Sequence, residues 1–124
     1  MQDGIRYCSL PYQDIYYKLW SESRAGSYIS YLRGKRCQTD EDFFCEISAS
    51  FQFPAYFGEN WNALNDCLGD LDWLHFSKIM IVLDDYSLAY SNDTEGKQLL
   101  LKSLVLMAKR WKQKNMDIEI WLNN

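Results

Sequence analysis

Apolar residues along this chain recur with two periods, and the switches between them mark out the elements. From Asn60 onward, Trp61, Leu64, Leu68 and Leu71 fall three or four positions apart, the spacing of one helix face. Asn62, Asn65, Asp66, Gly69 and Asp70 fall on the opposite face. The spacing predicts a helix over 60–71 with Trp61, Leu64 and Leu68 buried. A second helix is expected at Thr39-Asp40-Glu41-Asp42, where a hydroxyl can cap the first turn and carboxylates meet the positive end of the helix dipole. Its core face is Phe43, Phe44, Ile47 and Phe51, and Phe53-Pro54 ends it. A third helix starts among the caps Ser91, Asn92, Asp93 and Thr94 and runs to about Asn115. Asp93 and Glu95 stand at its start and Lys109, Arg110, Lys112 and Lys114 at its end, an order that complements the macrodipole.

Three strands are expected near 28–33, 78–83 and 117–122. Ile79–Leu83 is continuously apolar, as in a strand covered on both faces. Asp117–Leu122 alternates polar and apolar residues, with Trp121 breaking the pattern. Strands separated by helices imply an α/β fold: a small three-stranded parallel sheet with packed helices. Ahead of it, residues 1–26 are dense in aromatics (Tyr7, Tyr12, Tyr16, Tyr17, Trp20), too dense for a disordered tail. Pro11 can open a short helix over Tyr12–Ser21. This segment is expected to be an N-terminal extension packed on a main domain of residues 27–124, within a chain of one-domain length, 124 residues.

The net charge of −4 conceals an asymmetry. Residues 1–37 hold six basic and three acidic side chains, residues 38–92 one basic and ten acidic, and residues 93–124 six basic and four acidic. So acidic a middle segment draws in a basic partner and repels phosphates, which argues against nucleic acid as the ligand. No apolar run approaches the roughly 18 residues of a membrane span, and the N-terminus lacks the pattern of a secretory signal. Cys8, Cys37, Cys45 and Cys67 are too far apart for metal-ligand pairs, and Cys45 and Cys67 lie on predicted apolar faces. Buried free thiols in a reducing cytoplasm are the expectation.

Catalytic chemistry finds little support. The single histidine, His75, sits among apolar neighbours and is expected to be structural. There is no glycine-rich phosphate loop and no nucleophile elbow. The best enzymatic candidate is Asp84-Asp85 at the end of a parallel strand, where paired carboxylates can hold Mg²⁺; such residues more often cap the following turn. Asp66 and Asp70, one turn apart on one helix face, repel mildly unless a cationic partner relieves them.

The run Phe53-Pro54, Tyr56-Phe57-Gly58-Glu59-Asn60, Ala63-Leu64 and Asp66-Cys67-Leu68 resembles the barstar family, intracellular inhibitors that plug the active site of a ribonuclease. A weaker likeness extends over residues 27–124. The resemblance implies that Tyr56 contacts the nuclease and that Asp66 enters its catalytic pocket in place of a substrate phosphate. With the neighbouring ridge and loop, the implied partner-binding set is Tyr56, Gly58, Glu59, Asn62, Asn65, Asp66 and Asp70. The implied partner is a ribonuclease or toxin nuclease domain bound 1:1, with no cofactor, no metal and no catalysis. A barstar-fold module for a non-nuclease partner is the alternative. The chain departs from the family's type member at four positions. Asn62 replaces an aspartate, Asn65 a tryptophan, and Arg110 and Lys114 replace glutamates of the last helix. Bases there are expected to set like charge against a basic nuclease and so to exclude some members of that class.

Overall fold

A computed structural model describes residues 4–54, 57–71 and 73–124. Four strands, β1 (Ile5–Cys8), β2 (Tyr28–Arg33), β3 (Lys78–Asp84) and β4 (Asp117–Asn123), form one sheet in the order β1-β4-β3-β2, with every neighbouring pair parallel. The expected count of three strands is therefore corrected to four. The additional strand comes from the N-terminal segment and pairs along β4, with Ile5 opposite Ile120 and Cys8 opposite Asn123. Its four residues are too short a run to show a period, and only Ile5 is fully buried. What makes Ile5–Cys8 a strand is the open edge of β4, more than a hundred residues away in sequence.

The strands alternate between two cores. Ile79, Ile81 and Leu83 of β3 join Leu32, Ile120 and Leu122 in the larger one. That core is closed by α2 (Asp40–Phe51), α3 (Trp61–Asp70) and α4 (Thr94–Gln113). Met80 and Val82 point the other way and meet Trp121 and Ile15 of α1 (Tyr12–Arg24). Both faces of β3 are thus covered, which is why Ile79–Leu83 reads as an unbroken apolar run. Trp121 does not break the pattern of β4; it fills the second face, beneath the helix that follows β1.

Local signals set the helix ends. Thr39 Oγ1 accepts the Asp42 N–H at 3.1 Å, Asn60 Oδ1 the Ala63 N–H at 2.8 Å, and Asp93 Oδ1 the Gly96 N–H at 2.9 Å. The chain leaves α2 through Gln52 and α3 through Leu71, both left-handed, at φ 52° and 47°. Leu64 and Leu68 are buried as expected. Trp61 is only half-buried, stacking at 5.7 Å on Phe43 and meeting Phe44 edge-on at 5.2 Å. It stands in the first turn of α3, where the helix reaches the edge of the core, and its indole N–H finds Asp40 Oδ2 at 3.3 Å.

Candidate protein-binding site

Helix α3 presents its polar side outward. Asn62, Asp66 and Asp70 follow one another at four-residue spacing and are all exposed, while Leu64, Cys67 and Leu68 on the opposite side are buried. Asn65 is half-buried, and its Oδ1 is enclosed without a hydrogen-bond partner among the described residues. A buried acceptor without a partner carries a desolvation cost.

The loop leading into α3 adds a second acidic element. Gly58 and Glu59 are exposed, and Glu59 adopts a left-handed conformation at φ 52°, which side chains other than glycine take at a cost. Asn60 ties the loop down, capping α3 through Oδ1 and donating from Nδ2 to the Gly58 carbonyl at 3.2 Å. Between this loop and the start of α2 lies a groove of about 400 Å³ walled by Asp40, Glu41 and Glu59 and floored by Phe44 and Trp61. Asp40 braces it, accepting from Trp61 and, at 2.9 Å, from the buried Tyr90 hydroxyl. The carboxylates at the start of α2, read from sequence as dipole partners, thus also face the loop. Tyr56, the aromatic anchor that the resemblance implies, lies outside the described residues.

Behind α3, helix α4 supplies donors. Arg110 Nη1 donates to the Asn65 carbonyl at 2.8 Å, Trp111 Nε1 to that of Leu68 at 3.0 Å, and Lys114 Nζ to that of Gly69. Sequence reasoning placed Arg110 and Lys114 on a partner-facing surface and missed that both reach back onto α3. The available signal was their four-residue spacing opposite a helix with no basic residue in its last turn.

Other sequence candidates resolve differently. Asp84 is buried, and three donors occupy its carboxylate: the Tyr31 hydroxyl at 2.6 Å, Asn123 Nδ2 at 2.9 Å and the Asp85 N–H at 3.0 Å. A cleft of about 320 Å³ opens there at the carboxyl ends of the strands, but no set of three or more metal-ligating side chains gathers among the described residues. The expectation of a structural role for His75 meets an exposed side chain. Cys45, expected on an apolar face, is exposed too, because α2 turns Phe44 and Ile47 inward and leaves position 45 outside. Cys37 and Cys67 are buried free thiols, and Cys8 is half-buried.

The family model described as Barstar (barnase inhibitor) matches residues 28–123. The chain belongs to the barstar family, whose members are inhibitors that bind ribonucleases such as barnase. No curated protein matches it. The matched segment runs from β2 through β4, so β1 and α1 lie ahead of it. No helix among the described residues is long and apolar enough to cross a membrane.

Proposed function

We propose that this protein is a stoichiometric inhibitor of a ribonuclease, acting as an immunity protein or antitoxin in the cytoplasm. The observation that carries the reading is the exposed line Asn62–Asp66–Asp70 on α3 of a barstar-family domain. A ribonuclease active site is positive because it binds a phosphodiester. An aspartate brought into it accepts charge-assisted hydrogen bonds from arginine, lysine and histidine. Asp66 stands at the centre of the line, between Asn62 and Asp70, with Gly58 and Glu59 in the preceding loop and Asn65 beside it. Asn62 offers a donor and an acceptor without charge, so it specifies the partner rather than strengthening its general attraction. The changes at Asn62 and Asn65, on the ridge itself, direct the protein to a nuclease other than barnase.

RNA-cleavage assays titrated with the protein test this reading, using barnase, small basic secreted ribonucleases and toxin nuclease domains as targets. One nuclease should lose activity at equimolar protein while barnase keeps its own. Inhibition of barnase at equimolar protein would overturn the choice of target. A partner captured through Asp66 whose ribonuclease activity the protein leaves intact would make the chain a binding module and end the inhibitor reading.

A further inference from the structure

We propose that Arg110 and Lys114 are positioning residues for the acidic ridge, each holding the peptide group that precedes one of its two aspartates. The functional part of the proposal rests on α3 being the binding helix. A peptide bond is planar, so the carbonyl of one residue and the N–H of the next move as one body. Arg110 holds the Asn65 carbonyl and therefore the plane that ends in the Asp66 N–H. Lys114 holds the Gly69 carbonyl and therefore the plane that ends in the Asp70 N–H. The two cations are four residues apart on α4 and the two acids four residues apart on α3, so both pairs advance by about one 5.4 Å turn. The helices meet in register, one cation behind each acid, with Trp111 on the Leu68 carbonyl between them.

Two further features fit this arrangement. The carbonyls of a helix's last turn have no partner within it, and α3 has no basic residue there to meet them. Helix α4 supplies hydrogen bonds to two of them, Leu68 and Gly69, and positive charge that the negative end of the dipole favours; the Asn65 carbonyl that Arg110 meets lies earlier, inside the helix. Gly69 is also accounted for. A Cβ at this position would lie 2.6 Å from Arg110 Nη1 and 2.9 Å from its Cδ, so the glycine is the passage through which Arg110 reaches Asn65. A ridge held in this way meets its partner already ordered, and less freedom is lost on binding.

Backbone ¹⁵N relaxation of the free protein tests the proposal. The Asp66 and Asp70 amides should have order parameters of about 0.85, the value of rigid backbone. Arg110→Met should lower the value to about 0.7 or less at Asp66 with a smaller change at Asp70, and Lys114→Met should do the reverse. Arg110→Lys, which keeps a donor, should restore Asp66. Gly69→Ala leaves Arg110 chemically intact but takes its space, so it should loosen Asp66 even though alanine favours helix over glycine. Unchanged values at both aspartates in the double methionine variant would overturn the proposal. So would an even loss across α3 and α4, which would mark a general structural role. No nuclease enters the measurement, so its failure would leave the inhibitor reading standing, and failed inhibition would leave the positioning result intact.

Discussion

At the scale of single residues, α3 separates the exposed side chains proposed for binding from the buried ones that serve folding. Asp66 is exposed, and its helix is held by Leu64 and Leu68 on the far side, so its carboxylate contributes little to the fold. Asp66→Ala is therefore expected to weaken binding to the inhibited nuclease by about 2 kcal/mol or more, roughly thirtyfold in Kd. The urea midpoint should show a loss of no more than about 0.5 kcal/mol. Isothermal titration beside equilibrium unfolding measures both, and an unchanged affinity would remove Asp66 from the interface. Asn65 behaves differently. With its Oδ1 enclosed and unpartnered among the described residues, it carries a folding cost at a position proposed for binding, a conflict that functional sites tolerate and cores do not. The Asn65 side chain was legible as part of the ridge because period alone places it there; its unmet acceptor depends on packing.

At the scale of elements, α1 is fastened to the sheet by ions as well as by Ile15. Glu22 meets Lys18 at 2.9 Å, Lys78 at 3.1 Å and the Ser27 hydroxyl at 2.9 Å, and Glu119 of β4 reaches the same two lysines at 3.6 and 3.4 Å. Burial works to raise the Glu22 carboxyl, but hydrogen bonds from Lys18, Ser27 and Lys78 outweigh it and hold the group down to about 2 from its ordinary 4.5. The folded value lies below the unfolded one. The stability it brings is complete above about 4.5 and is lost as pH falls from there toward 2. We expect Glu22→Gln to cost about 1–2 kcal/mol at pH 7 and much less near pH 2, because solvent screens part of the network. Urea midpoints of both proteins across that range measure it, and a gap that stays constant with pH would refute the account. The acidic start of α2 and the basic end of α4 were legible as dipole partners. That Lys78 and Glu22, fifty-six residues apart, would meet was not.

At the scale of the whole molecule, charge is distributed unevenly. The ten acidic and single basic residues of 38–92 include those that wall the groove and crown α3, whereas the flanking segments are net basic. Such a field accelerates encounter with a basic nuclease more than it prolongs the complex. Association measured in stopped flow should slow about tenfold or more between roughly 0.01 and 0.5 M salt, while dissociation changes far less. Equal salt sensitivity of the two rates would mean that the acidic face does not steer.

Sequence alone determined the local facts. Three helix starts, the two-faced nature of β3 and the division of α3 into an apolar and an acidic side follow from periods of 3.6 and 2 and from capping chemistry acting within a few residues. The motif from Phe53 to Leu68 likewise named the family, because its spacing is contiguous in the chain. Tertiary structure decided what depends on distant partners. Ile5–Cys8 became a strand because β4 offered an edge, Trp121 became core because α1 lies over it, and Asp84 became a hydrogen-bonded carboxylate because Tyr31 and Asn123 converge on it. Arg110 and Lys114 look like surface charges of a helix end until the Gly69 gap in α3 is set against them. The physical reason is common to all four. Period and capping act between neighbours in the chain, whereas pairing along an edge, packing across a sheet and donation between elements require residues thirty-nine or more positions apart to be brought together.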